Sequence, residues 1–490
     1  MKKIFSLLLI LALLLSLAAC ADPVIGEAPA DKPLSADPAE LPEALIELKG
    51  DSVSCKANGV SVKGTTVTIG APGSYTVRGT LSDGRIVVDL KENPGKVSLY
   101  LDGADIRCLT DSAIYLAQAK ELNLVLVAGS KNTVTSGTTA DFDTYDETRQ
   151  GAAIFAEDDL DIQGEGELEV FGYLNNGITC KDDLKIKGGS LTVTGANNGV
   201  RASESVTVTG GSLVVTARND GVKASSAKKA DKGFVQIEGG TVQVLAGGDG
   251  ISAETELRIS GGAVTVETNG DPAEKSCKGL KGKTGVVISG GTISVAAQDH
   301  AVRSVAALTV SGGELTAESA QGKGLAAETE LLIEAGTVSV TASDDGLASA
   351  DTVRIAGGEL NVVSGADGIQ GGKKGTGFTA EVGTVVFEGG VTRISAFNKP
   401  IDAKAVLRIG GGTVFACGSG TLRPESELPY LLYTAEGHAG DELTLNVGAE
   451  HALHAAYLYH TVFFVGEGLS EGQSVRLQAG SQSLEAKAAR

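Results

Sequence analysis

A short unit recurs through most of the chain, and its period limits what the chain can fold into. A small residue or turn followed by an aliphatic side chain returns at Ile154, Ile178, Val200, Val222, Ile251, Leu280, Val302, Leu325, Leu347, Ile369 and Ile401, at intervals of 24, 22, 22, 29, 29, 22, 23, 22, 22 and 32 residues. Independently, the second glycine of a Gly-Gly pair falls at 189, 211, 240, 262, 291, 313, 358, 390 and 412, and Ala335-Gly336 fills the gap. The two series lengthen together wherever residues are inserted, so they mark one repeat with loops.

Within a repeat, runs such as Leu191-Thr192-Val193-Thr194 and Thr292-Ile293-Ser294-Val295 alternate with period two, the mark of strands with one buried face. A unit of about 22 residues cannot close on itself. Stacked units bury their inward aliphatics and satisfy each other's backbone groups. Leucine-rich repeats require a leucine-asparagine signature that is missing here, and propeller blades require about 40 residues or more. The expected fold is therefore all-β, a right-handed parallel β-helix over residues 86–412. Residues 43–85 and 413–490 are expected to cap its two ends with β structure, because an uncovered rung is a sticky edge. Ile86-Val87-Val88 and Ala113-Ile114-Tyr115 read as two less regular rungs.

The N-terminus indicates an extracytoplasmic protein. Lys2 and Lys3 precede an apolar run, Ile4 to Leu17, too short to span a membrane and suited to a secretory signal over 1–19. Leu17-Ala18-Ala19-Cys20 resembles the lipobox of bacterial lipoproteins, which implies lipidation of Cys20 and a membrane anchor. Residues 20–42 hold five of the eleven prolines and read as an extended tether. The chain carries 61 acidic and 41 basic residues, a net charge of −20, which argues against nucleic-acid partners. Cys55, Cys108, Cys180, Cys277 and Cys417 have no zinc-ligand spacing and read as buried thiols. A monomer is expected.

Stacking turns repeated positions into columns. Before the marker glycine stand Asn176, Asn198, Asp220 and Asp249, then Lys278, His300 and Lys323, then Asp345 and Asp367; Asp299 and Asp344 lie one position earlier. Asp158, Asp159, Asp182 and Asp183 form a second set one rung apart. Carboxylates at a rung's separation repel by roughly 3 to 4 kcal/mol at an effective dielectric of 20, and calcium accepts six to eight oxygen ligands from an adaptable cage. Calcium is thus expected between Asp220 and Asp249, with Asn198 or carbonyls completing the shell, and between Asp344, Asp345 and Asp367. The Asp158/Asp159/Asp182/Asp183 set is a third candidate. The plainer alternative is that Asn-Gly and Asp-Gly serve as turn formers, tolerant of left-handed backbone.

A basic column, Arg201, Lys223, Lys281 and Arg303, follows the marker aliphatics, and the insertions add Lys228, Lys229, Lys232, Lys275, Lys283, Lys373 and Lys374. Such cations suit an anionic sugar chain; the alternative is a salt-bridge ladder offsetting the acids. Tyr115, Tyr145 and Tyr173 are candidates to stack on sugar rings, against the commoner core or rim role. Asp141, Asp143, Asp146 and Glu147 read as a solvated insertion, and His451, His454 and His460 as structural. There is no nucleophile elbow, P-loop or dinucleotide fingerprint.

Several stretches resemble a family of bacterial surface carbohydrate-binding β-helix proteins, described as cellulose- and pectin-binding and similar in fold to family 9 polysaccharide lyases. They are GSYTVRGTLSDGRIVVD (73–89), AAIFAEDDLDIQGEGELEVFGYLNNGITCKDDLKIKGGSLTVTG (152–195), NDGVKASS (219–226), DDGLASADTVRIAGGELNV (344–362) and LLYTAEGHAGDELTL (431–445). The resemblance implies calcium in the aspartate-bearing rungs and binding of polygalacturonate or cellulose. The related lyases use calcium with a lysine base for β-elimination, and Lys223 beside Asp220 is the position matching that role. The chain departs from the family over 280–325, where Lys, His and Lys replace acids. With no tryptophan platform, a charged polysaccharide is the expected ligand ahead of crystalline cellulose. Calcium-dependent capture of acidic polysaccharide at the cell surface is the leading expectation; a polysaccharide lyase and a non-enzymatic adhesin or spacer are the alternatives.

Overall fold

Each rung contributes three strands, as in Val200–Ala202, Ser205–Val208 and Ser212–Ala217, and the next rung repeats them as Val222–Ala224, Phe234–Ile237 and Thr241–Ala246. Like strands of successive rungs pair in parallel, which builds three ladders about a common axis. The chain is a parallel β-helix. This computed structural model describes residues 34–91, 95–144, 151–229, 231–372 and 383–490. The predicted signal segment, Cys20 and much of the tether lie outside the described residues, as do Tyr145, Asp146, Glu147, Lys373 and Lys374.

The first ladder carries the marker aliphatics. Ile154, Ile178, Val200, Val222, Ile251, Leu280, Val302, Leu325, Leu347, Ile369 and Ile401 are partners one to the next without a slip. Every one is buried, in a core that runs along the axis from Ile46 to Val465. The rungs of 29 residues keep this register because their extra residues lie in turns, outside the strands. Glycine is required at the entry to the third ladder. The ten glycines of the Gly-Gly series, from Gly189 to Gly412, all have φ between 75° and 90°. A Cβ on Gly262 would also sit 2.7 Å from the carbonyl oxygen of Gly240 in the rung before, so conformation and stacking both exclude a side chain there.

The ends are closed by antiparallel pairing. At the start, Leu45–Gly50 pairs antiparallel with Val53–Cys55 and parallel with Gly73–Leu81. Thr66–Ile69 is already in parallel register with Arg85–Asp89, so stacking begins ahead of residue 86 and the expected cap is continuous with the helix. Lys96–Cys108 pairs through its first half with the second ladder and through its second half with the third, which joins those ladders into one 31-stranded sheet. At the other end Tyr459–Val465 pairs antiparallel with both Thr413–Gly418 and Tyr430–Gly437. A four-stranded antiparallel sheet, Glu442–Val447 with its neighbours, completes the cap around its own apolar cluster. The five cysteines among the described residues are free thiols, and burial pushes those of Cys180 and Cys417 up to about 12.

Candidate functional site

The residue before each marker glycine points along the axis and caps the next rung. Asn176 Oδ1 accepts from the Asn198 N–H at 3.0 Å, Asn198 Oδ1 from Asp220 at 3.2 Å, Asp220 Oδ1 from Asp249 at 2.9 Å and Asp249 Oδ1 from Lys278 at 3.0 Å. Further on, His300 Nδ1 accepts from Lys323 at 3.2 Å, Asp345 Oδ1 from Asp367 at 3.1 Å and Asp367 Oδ1 from Lys399 at 3.1 Å. Lys278 and Lys323 have no acceptor and interrupt the series. Left-handed turns do not explain the Asn-Gly and Asp-Gly pairs: among the described residues Lys91 is the only non-glycine with positive φ, and the marker glycines of this column are not left-handed either. Close packing explains the glycine, since a Cβ on Gly250 would lie 2.2 Å from Val266 Cγ1 and 2.7 Å from the Gly279 oxygen.

Lysines occupy the remaining oxygens of the predicted calcium pair. Lys223 Nζ lies 2.6 Å from Asp220 Oδ2 and Lys281 Nζ 2.7 Å from Asp249 Oδ2, while Ser276 Oγ donates to Asp249 Oδ1 at 2.5 Å. All four carboxylate oxygens have protein donors, and a cation between them would have to replace both lysines. This pair does not fit calcium. Asp345 is held in the same way, by the Asp367 N–H and by Lys323; Lys323 also reaches Asp344 at 3.5 Å. Asp367 is different. Burial, followed by the charges of Asp402 and Asp345, pushes its carboxyl up to about 6. Burial also raises Asp402, but hydrogen bonds from Lys399 and Lys404 outweigh it and hold that carboxyl below its ordinary value.

The corner between the first and second ladders gathers acids with fewer cations. Asp159 is in register with Glu121 and takes the Asp183 N–H on Oδ1 at 3.2 Å. Asp183 accepts from Ser205 at 2.7 Å and pairs with Lys232 at 2.8 Å. Glu204 takes Lys232 and Lys229, each at 3.0 Å. Among the described residues, the Asp158 carboxylate accepts only the Ala119 N–H, at 3.0 Å. Among the described residues, Asp158, Asp159 and Asp182 have no lysine or arginine in ion-pair contact. Burial, then neighbouring carboxylates, pushes Asp182 above its ordinary value; burial does the same to Asp159, outweighing the backbone hydrogen bond from Asp183 that opposes it, with smaller contributions upward from the charges of Asp183 and Glu121 and downward from Lys185. No three His, Cys, Asp or Glu side chains among the described residues form a ready metal cage.

The basic column is in register on the outer face of the first ladder. Arg201, Lys223, Ser252, Lys281 and Arg303 are successive partners. Lys223 and Lys281 hold Asp220 and Asp249, and Arg303 pairs with Glu328. Among the described residues, Arg201 reaches only the Ser225 hydroxyl, at 3.4 Å. Lys223, the position matched to a lyase base, is thus engaged as a donor to Asp220. In the other direction the column continues through Thr179 to Phe155 and Tyr115. Their rings meet edge-on at 5.8 Å, with Arg85 5.3 Å from the centre of Tyr115 and Lys181 5.6 Å from that of Phe155. These aromatics, with Arg85, Asp111, Ser112 and Glu157, wall a hollow of about 350 Å³. Sequence reasoning singled out Tyr115 but missed Phe155, although Phe155 follows a marker aliphatic just as Arg201 does. Beyond Arg303 the column turns to Ala326, Ala348, Gln370 and Asp402. His451 contacts the Val447 oxygen and His454 pairs with Glu442, both within the C-terminal sheet.

The family described as carbohydrate-binding domain-containing protein matches residues 63–324 and 319–456. A protein of that description from Acetivibrio thermocellus is 36% identical over 151 residues, which are 31% of this chain and 52% of the relative. The chain therefore spans about half the length of the curated relative it matches. A solved structure, the gadolinium derivative of the polysaccharide lyase-like protein from C. thermocellum, is 30% identical, with 56% of this chain and 99% of that chain covered and a TM-score of 0.44. With most of its length matched by that family, this chain belongs to the carbohydrate-binding domain-containing proteins.

Proposed function

We propose that the protein is a calcium-dependent carbohydrate-binding lipoprotein that captures acidic polysaccharide of the polygalacturonate type at the cell surface. One observation carries the reading: a single outward column runs from Tyr115 and Phe155 through Thr179 to Arg201, Lys223, Ser252, Lys281 and Arg303 without a break in register. Rungs about 4.8 Å apart present aromatic faces and then cations along a straight line, which matches a linear polymer of apolar ring faces and carboxylates. Arg201, lacking a carboxylate partner among the described residues, is the first anchor for a uronate. A chain of net charge −20 is screened from such a polymer beyond about a Debye length and repels it on closer approach, so local cations must supply the attraction.

Calcium belongs at the corner of Asp158, Asp159 and Asp182 in this reading, beside Asp183, whose two oxygens are already held by Ser205 and Lys232. Support comes from sparsely compensated charge: burial first, and neighbouring carboxylates after it, raise the cost of ionising Asp159 and Asp182, and a hard divalent ion with oxygen ligands relieves it. Bound there, calcium supplies positive charge for uronate oxygens, while the column residues orient the polymer. Cys20 is the lipid anchor. Affinity electrophoresis through polygalacturonate tests the whole: retardation is expected with calcium, is reduced by a chelator, and falls in Arg201→Gln. Migration unchanged by polygalacturonate would overturn the binding reading, and retardation indifferent to chelation would remove calcium from it.

A further inference from the structure

A second aromatic surface lies where the third ladder turns toward the first, and the column above makes no use of it. Phe171 faces outward as the partner of Thr135 on one side and Thr194 on the other. Its ring stacks on Tyr173 at 5.5 Å and 30°. Phe142 meets Tyr173 edge-on at 5.8 Å and is covered on its other side by Arg218, 4.3 Å from the ring centre. Phe142 is delivered by the short helix Thr139–Asp143, whose start is fixed by Asp141 Oδ2 accepting from the Thr138 N–H at 2.9 Å and hydroxyl at 2.7 Å. Nothing in the apolar core requires these rings, since the inward positions of the same strand are Leu168 and Val170.

Phe171 and Tyr173 form one wall of a groove of about 430 Å³ whose other walls include Ser82, Asp105, Arg107 and Thr135. That volume falls within the range of small-molecule sites. Arg107 and Asp105 are both exposed, and among the described residues Arg107 has no carboxylate partner. Arg107 stands two rungs from Phe171 in the same outward column, roughly 10 Å along the axis. The groove thus offers an apolar ring face, hydroxyls and a carboxylate, and one unpaired guanidinium at a sugar's distance.

We infer that this groove is a subsite for a single uronic-acid residue, with the apolar face of the pyranose on Phe171 and Tyr173 and its carboxylate on Arg107. Guanidinium takes a carboxylate through two parallel hydrogen bonds, and an aromatic face suits a ring that is apolar on one side and polar at its rim. Asp105 and Thr135 are placed for the ring hydroxyls. The inference rests on the carbohydrate-binding reading but concerns a different surface.

Calorimetric titration of the full chain with trigalacturonate and with cellotriose tests it, on the wild type and on Arg107→Gln, Phe171→Ala and Arg201→Gln. The expected result is binding of trigalacturonate weakened about tenfold or more by Arg107→Gln and by Phe171→Ala, with unchanged thermal unfolding, and weakened by less in Arg201→Gln, whose uronate contact lies on the first ladder. Wild-type affinity in both groove variants, with binding lost only in Arg201→Gln, would overturn the groove while leaving the first-ladder column standing. Cellotriose bound as tightly as trigalacturonate would overturn the uronate assignment. Failure of the wild type to bind either trigalacturonate or polygalacturonate would overturn the carbohydrate reading itself.

Discussion

Two stacks of acids occur in this molecule, each with neighbours one rung apart, and they have opposite characters. In the stack before the marker glycines, Asp220, Asp249 and Asp345 are buried, each giving one oxygen to the backbone of the next rung and the other to a lysine. At the corner of Asp158, Asp159 and Asp182, carboxylates of the same spacing lie partly exposed with few donors. Register brings like charges together in both places. What separates a structural acid from one free to bind a cation is the supply of donors around it, and that supply comes from turns and insertions outside the repeat.

The sharpest way to break this contrast is to remove the donors' partner. Asp249→Ala strips the acceptor from the Lys278 N–H and Ser276 and leaves the Lys281 ammonium without its carboxylate, a loss of about 3 kcal/mol for a buried pair broken on one side. Asp249→Asn keeps an oxygen for the backbone, as Asn198 already does two column positions earlier, and should cost about 1 kcal/mol. Denaturant unfolding measures both; equal losses would mean that the cap matters less than the charge. The corner should behave in the reverse sense. Asp182→Asn relieves repulsion, so stability without calcium is expected to stay the same or rise by less than about 1 kcal/mol. Calcium affinity by calorimetry should fall about tenfold in Asp182→Asn, near 1.4 kcal/mol, and be unchanged in Asp220→Asn. A calcium response lost in Asp220→Asn and kept in Asp182→Asn would reverse the assignment of the two stacks.

The repeat made the fold legible because parallel stacking asks for the same residue type at two places in every rung. An inward aliphatic and a left-handed glycine leave a period that insertions shift but do not erase. The column of Arg201, Lys223, Lys281 and Arg303 was readable by the same rule, and Phe155 was open to it too; it was passed over because the column was read for charge. Other parts had no period to betray them. Ser276 reaches Asp249 from an insertion, and Lys232 reaches Asp183 and Glu204 from another, so neither contact follows from rung position. Phe142 sits on a helix inserted once. The early start of stacking at Thr66–Ile69 was hidden because that strand also closes a hairpin with Val60–Lys63, which reads locally as a separate cap.

The last expected effect is one of pH and lies in the first stack itself, at Asp367, whose charge is poorly matched. The folded chain holds the Asp367 proton up to about 6, against an ordinary value of 3.8. A carboxyl whose folded pKa is raised makes the native state bind more protons than the unfolded chain between those two values. Its contribution to stability is therefore present below about pH 3.8 and is lost as pH rises through about 6. Asp402 runs the other way: held low by Lys399 and Lys404, it stabilises above its ordinary value and loses that contribution as pH falls. Asp367→Asn keeps an acceptor for the Lys399 N–H, 3.1 Å away, while removing the titration. Measured from pH 4 to pH 7, the melting temperature of Asp367→Asn relative to wild type should climb up to about pH 6 and then level off. A flat difference over that range would mean that Asp367 is as well compensated as Asp249, and the first stack would then be uniform along its length.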